Sequence, residues 1–286
     1  MADAFVHRPP LHGHEYRRLR DLVSQAFGIQ LSDDKQVLVT NRMGNYLISR
    51  GFQSYTQFLD QLDAARGGAL LDDLASLIST NHTYFFRDEV HFTMLSTSVW
   101  PELEHEARRT RTRDLRVWCA ASSTGEEAYS ILFTMLDYFG PRYTTFEAGL
   151  LATDISTAAL EHATRGVYDT TRAAAVPAAL RDRFMRPGPE GKMEVLPEVR
   201  REAHFRKFNL MTSVFPFKKP FHVIFCRNVM IYFDVAARAA LVERLCDALV
   251  PGGLLFVGPS EAIHGAAGLD YVAPAVYRRK SRRGPS

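Results

Sequence analysis

The sequence predicts an α/β chain: a mostly parallel sheet covered by helices on both faces, with a small antiparallel β insert, preceded by an all-helical N-terminal part. Three observations predict it. Residues 15 to about 90 carry apolar side chains at helical spacing and no alternating β-branched pattern. From about Leu115, short apolar runs alternate with helical patterns, as in βαβ units. Between Phe184 and Phe208 that rhythm breaks around the turn cluster Pro187-Gly188-Pro189-Glu190-Gly191.

In the N-terminal part, Tyr16, Leu19, Leu22, Val23, Ala26 and Phe27 share a helix face, and Gly28 suits the left-handed stop. Ser32 with Asp33 and Asp34 signals the next start. That helix groups Val39, Met43, Tyr46 and Leu47 and ends at Gly51. Tyr55, Phe58, Leu59 and Leu62 mark another, and after Gly67–Gly68 a further stripe runs through Leu71, Leu74, Leu77 and Ile78. Beyond it, Leu115–Ala121, Phe146–Thr153, Phe221–Phe225 and Gly253–Gly258 read as strands. Helical patterns over Glu126–Phe139, Ala158–Arg165 and Val235–Leu249 lie between them. The insert is expected to pair Phe184–Arg186 with Met193–Leu196, with His204–Phe208 as a further short run. The expected division is a helical domain over 1–90 and a sheet domain over 91–286, the β subdomain covering about 184–208.

Composition removes several function classes. At 46% hydrophobic and 23% charged residues, the chain is neither disordered, nor collagen-like, nor a disulfide scaffold. No apolar run approaches the roughly 20 residues of a membrane span. Met1–Pro10 has no apolar signal core, so a cytoplasmic protein without membrane insertion is expected. Cys119, Cys226 and Cys246 form no C-x-x-C pair and read as reduced core thiols. The net charge of +3 comes from the end of the chain. Arg278, Arg279, Lys280, Arg282 and Arg283 cluster on a stretch expected to be frayed, and without them 30 basic residues face 32 acidic ones. Nucleic-acid binders carry their cations on a folded face, so nucleic acid is not an expected partner. His12 and His14 are the close pair among ten histidines, with no acid or cysteine clustered beside them, so no metal site is expected.

In open α/β sheets, ligands bind beyond the carboxyl ends of the strands where the strand order switches. After the first strand come Ser122-Ser123-Thr124-Gly125-Glu126-Glu127, small residues that let backbone approach a ligand. The acids would repel a pyrophosphate and attract a cation; the plain alternative is a capped helix start. Asp154 ends the second strand, where a carboxylate can hold ribose hydroxyls, or it caps the helix over 155–165. Arg227 and Asn228 fall where the strand beginning at Phe221 ends. An arginine against an apolar strand is costly unless it has a fixed carboxylate or ligand partner. Tyr232 reads either as a site residue or as a core tyrosine. The junction Ser79-Thr80-Asn81-His82-Thr83-Tyr84-Phe85-Phe86-Arg87-Asp88 sets three aromatic rings beside an arginine and is expected to be buried in an interdomain cleft.

Together these stretches resemble the CheR family of chemoreceptor glutamate O-methyltransferases. The resemblance is carried by Ile78–Arg87 (ISTNHTYFFR), Val117–Tyr129 (VWCAASSTGEEAY), Ala152–Ile155 (ATDI) and Ile224–Asp234 (IFCRNVMIYFD), with Gly253–Glu261 a weaker fifth. It implies a Rossmann-like class I methyltransferase sheet behind a small helical domain, and S-adenosylmethionine-dependent esterification of glutamates on the cytoplasmic helices of chemoreceptors. It further implies that Asn81, Thr83, Arg87, Glu127, Asp154, Asn209, Leu210, Arg227 and Asn228 contact the cofactor. Arg87 and Tyr232 would lie near the methyl group and the incoming glutamate. Ala128 and Pro259 depart from the usual residues of the pattern without touching an implied contact. The helical domain would face the receptor, with Lys35, Arg42, Ser49 and Arg50 as a basic stripe toward acidic helices or merely a solvated face. A monomer is expected. The rivals are a methyltransferase for small molecules and a cofactor-binding module without turnover.

Overall fold

The computed structural model of the chain describes residues 8–65, 68–79, 81–263, 265 and 268–281. Gly67, Arg282, Arg283 and most of Met1–Pro10, on which expectations were placed, lie outside the described residues.

Four helices build the N-terminal bundle: α1 (Gly13–Phe27), α2 (Gln36–Ser49), α3 (Tyr55–Ala65) and α4 (Ala69–Ile78). Their stripes meet in a core that includes Leu19, Val23, Met43, Leu47, Phe58, Leu59 and Leu74, all fully buried. Gly28 ends α1 at φ 70°; a Cβ there would lie 2.5 Å from the Met211 sulfur. Glycine thus lets the end of α1 sit against the sheet domain. The expected basic stripe is only partly free. Lys35 is exposed, but Arg42 turns inward onto the carbonyls of Leu77 and Ser79, and Arg50 pairs with Asp73.

Helical order does not run unbroken to residue 90. The 81–88 stretch is irregular, and α5 (Glu89–Met94) continues through a π-helical turn at Leu95–Val99 into α6 (Trp100–Thr110). These segments pack on the sheet. Then follow β1 (Asp114–Cys119), α7 (Glu126–Phe139), β2 (Glu147–Asp154), α8 (Thr157–Arg165), β3 (Val167–Tyr168), α9 (Thr170–Ala173) and α10 (Ala178–Phe184). After them come β4 (Met185–Pro187), β5 (Met193–Val195), α11 (Pro197–Arg200), β6 (Ala203–Lys207), β7 (Phe221–Cys226), α12 (Val235–Ala248), β8 (Leu249–Val257), β9 (Leu269–Ala273) and β10 (Val276–Arg279).

The large sheet runs β6-β2-β1-β7-β8-β10-β9. β6, β2, β1, β7 and β8 are parallel, while β10 and β9 return antiparallel. The chain winds outward from β1 in both directions, which is the switch point that opens a cleft at the carboxyl ends of β1, β2 and β7. This is the Rossmann-like architecture expected, with two differences in detail.

The small sheet has the order β3-β5-β4 and begins at Val167, whereas the run at 203–207 is no part of it. β6 instead pairs in parallel with β2 as the edge of the large sheet. A five-residue run carries no period that separates these two roles. The second difference is the basic end. Arg278 and Arg279 lie on an inner strand, with Arg278 gripping both carboxylate oxygens of Glu102. That part of the tail is ordered sheet: β10 pairs with β8 on one side and β9 on the other, and Val276 and Tyr277 are buried in the two cores.

Candidate active site

The loop after β1 crosses to β2 through backbone bonds. Ser122 N–H donates to the Thr153 carbonyl at 2.9 Å, and Ser123 N–H donates to Asp154 Oδ2 at 2.8 Å. Asp154 Oδ1 accepts from Ser156 N–H at 2.9 Å. The helix cap itself is Ser156, whose hydroxyl accepts from Ala159 N–H, so Asp154 is a loop-tying carboxylate rather than a simple cap. Burial pushes its carboxyl above the ordinary range, against the opposing backbone bonds from Ser156, Ser123 and Ile155.

Arg227 has the fixed partner that its position demands. Its buried guanidinium donates to Glu127 Oε2 at 2.8 Å and to the Arg87 carbonyl at 2.8 Å, and it pairs with Asp88. The other Glu127 oxygen lies 3.4 Å from the Cys119 thiol. Burial raises the Glu127 carboxyl above its usual pKa, and the Arg227 charge and the thiol bond only partly offset it. Removing one member of such a buried pair costs about 3–5 kcal/mol.

Arg87 itself is differently placed. Its guanidinium donates to the His82 carbonyl at 2.9 Å and lies over the Tyr84 ring, but it forms no ion pair with any described residue. Phe85 and Phe86 correct the expectation of an interdomain junction. Phe85 stacks on Phe133 and meets Tyr168 edge-on, while Phe86 packs on Phe92, so both belong to the core of the sheet domain. What faces the cleft is the polar side of that stretch, Asn81, Thr83 and Arg87.

Asn209 reaches the helical bundle: its side-chain amide donates to the Ala26 carbonyl at 2.8 Å and its oxygen accepts from Met211 N–H. Next to it, Leu210 is buried. Asn228 adopts φ 58°, and a 3-10 turn at Met230–Tyr232 brings Tyr232 to the cleft wall. The Tyr232 carbonyl accepts from Gln30 N–H at 2.8 Å, and Ile29 bridges Phe233, so the bundle closes one side of the cleft.

All ten residues singled out in the sequence line this one cleft, whose empty space, with the open solvent at its mouth, is about 930 Å³. The walls also include Ser123, Ile155, Phe208 and Val229, which sequence reasoning did not name as contacts. Asp88, the second partner of Arg227, and Glu261, which accepts bonds from the Asn228 segment, were also missed as parts of the site. Asp88 directly follows a recognised motif and Glu261 ends one. Their roles depend on partners 139 and 33 residues away, which no local pattern reports.

Known proteins resemble this chain over most of its length. The SAM-binding domain of CheR methyltransferases matches residues 81–275, and the all-alpha domain of CheR methyltransferases matches residues 14–79. The chemotaxis protein methyltransferase of Borreliella burgdorferi is 36% identical over 265 residues, covering 93% of this chain and 94% of that protein. The enzyme of the same description from Salmonella typhimurium is 37% identical, over 89% of this chain and 85% of its own length. Chemotaxis protein methyltransferase 2 of Pseudomonas aeruginosa is 35% identical, over 92% of each.

Proposed function

The chain belongs to the CheR methyltransferase family and uses S-adenosylmethionine, and we propose that it esterifies glutamate side chains on the cytoplasmic helices of chemoreceptors. The observation that carries this reading is the charge arrangement of the cleft. Two incompletely neutralised carboxylates, Glu127 and Asp154, line its interior, and Arg87, which forms no ion pair among the described residues, lines the same space.

The residues fit the cofactor by their chemistry. Glu127 and Asp154 suit a ligand with cationic groups and ribose hydroxyls. The Ser123 hydroxyl in the same loop is buried with no hydrogen-bond partner among the described residues, a polar atom available to such a ligand. Asn81, Thr83, Asn209, Leu210, Arg227 and Asn228 complete the binding wall. When bound, the cofactor supplies a methyl group on a positively charged sulfur.

The chain's own part is binding, orientation and exclusion of water. A glutamate carboxylate is already ionised at neutral pH, so no general base is required. In our reading Arg87 holds that carboxylate or the cofactor's own, and the Tyr232 hydroxyl orients the attacking oxygen. Ala120, Phe208, Leu210 and Phe233 supply the apolar surface that keeps the cleft dry. Catalysis then rests mainly on in-line positioning.

The helical bundle α1–α4 is assigned to the receptor and the sheet domain to chemistry, with exposed Lys35 facing acidic receptor helices. Among the described residues no helix is long and apolar enough to cross a membrane. We assign the monomer to the cytoplasm, where the receptor helices are. Incubation with tritiated S-adenosylmethionine and receptor cytoplasmic fragments tests the reading. Base-labile label on receptor glutamates supports it; label confined to small molecules, or stable to base, contradicts it.

A further inference from the structure

We infer that Glu261 is a positioning residue: its buried carboxylate fixes the backbone of the Arg227–Tyr232 segment and, through it, one wall of the cleft. This deepens the functional reading above, on which it rests for the reaction but not for cofactor binding.

Glu261 is fully buried, and no cation forms an ion pair with it among the described residues. A buried carboxylate in that condition needs hydrogen bonds to its charged form. It has three, all from backbone. Oε2 accepts from Asn228 N–H at 2.7 Å and from Gly258 N–H at 2.7 Å, and Oε1 accepts from Ile231 N–H at 3.2 Å. One side chain therefore joins the loop after β8 to the loop after β7.

Two of those donors sit where the site needs them. Asn228 sits at φ 58°, a left-handed conformation that asparagine tolerates better than most residues, and its N–H points at the carboxylate. Ile231 lies inside the turn that ends in Tyr232. Asn228 and Tyr232 line the cleft, whereas Gly258 and Glu261 do not, so Glu261 acts through them. Gly258 completes the device. A Cβ there would fall 2.5 Å from Glu261 Oε2 and 2.8 Å from Asn228 Nδ2, so only glycine leaves room for the carboxylate to reach both loops.

Two variants test this without touching the cleft. Glu261→Gln keeps the shape but turns an N–H₂ toward at least one N–H donor, and Gly258→Ala pushes the carboxylate off its three partners. Each is compared with wild type by circular dichroism and thermal melting, by calorimetric binding of S-adenosylhomocysteine, and by kcat and KM for methyl transfer. Loss of a charge-assisted bond in the site should weaken by-product binding and lower kcat by at least about tenfold in both variants, with native circular dichroism retained. A purely structural Glu261 would lower the melting temperature and leave the binding constant and kcat of the folded protein at wild-type values; that result overturns the inference. Because the binding readout needs no acceptor, failure of the wild type to esterify glutamate counts against the proposed reaction alone.

Discussion

Glu15 and Glu127 are both buried acids in the first turn of a helix, one in the N-terminal bundle and one in the cleft, yet their surroundings push them in opposite directions. Glu15 is satisfied by neutral donors: His12 N–H at 2.9 Å, Thr56 N–H at 2.8 Å and the Thr56 hydroxyl at 2.7 Å. Burial alone would raise its pKa, but those bonds, with a smaller contribution from the His12 charge, outweigh it and leave the carboxyl lowered. Glu127 has one strong bond, from Arg227, and a weak one from a thiol, so burial wins and its carboxyl is raised. A structural acid is compensated in full by its own fold. The cleft acid is left short of compensation, as suits a group that completes its partners with a cationic ligand.

That contrast can be broken most severely at Glu127. Glu127→Ala leaves Arg227 buried with Asp88 as its remaining carboxylate and should cost about 3–5 kcal/mol in denaturant unfolding. It should also abolish measurable cofactor binding; stability and binding at wild-type levels would show that the pair is incidental. Arg87→Ala comes next. Arg87 forms no ion pair that the fold depends on, so the variant should fold normally and lose at least about 100-fold in turnover. Near-normal methylation by this variant removes Arg87 from the site.

Glu15→Ala sharpens the comparison from the other side. Losing a helix cap and the Thr56 bonds should cost about 2 kcal/mol while leaving the affinity of the folded protein for S-adenosylhomocysteine unchanged. The acid dependence of stability also differs in sign. With its folded pKa below the ordinary 4.5, Glu15 contributes stability above that value that is lost as pH falls through the folded pKa. With its folded pKa above 4.5, Glu127 stabilises the ligand-free protein most at low pH, and that contribution declines as pH rises through the window above 4.5. Glu15→Gln should flatten the first slope and Glu127→Gln the second, read from denaturation midpoints across pH. The smallest effect is expected at exposed Lys35. Lys35→Glu should slow receptor methylation a few-fold at low salt and not at high salt.

The βαβ rhythm and the motif loops were legible because each rests on local chemistry: apolar runs for β1, β2, β7 and β8, small residues and acids after β1, an arginine at the end of β7. Seven of the ten residues expected at the site lie at or after the carboxyl ends of β1, β2, β6 and β7, which meet at the cleft, while Asn81, Thr83 and Arg87 reach it from the irregular stretch before α5. What was illegible depended on partners distant in sequence. The 203–207 run joins the large sheet only because β2 offers it an edge. Phe85 and Phe86 turn into the sheet domain because Phe133 and Phe92 receive them. Arg278 lies on ordered strand rather than a frayed end because β8 and β9 pair with β10 on either side, a partnership that no local pattern reports.

Calorimetric titration of wild type and Glu127→Gln with S-adenosylmethionine, across the pH range in which Glu127 gains its proton, addresses the central claim most directly. The account predicts tight uptake by wild type that weakens as pH falls, and weaker uptake by the variant with a flatter pH dependence, Asp154 being the cleft carboxylate that still gains a proton. Equal affinities in the two proteins, or no uptake by wild type, would contradict a cleft whose charge is set to receive a cationic donor.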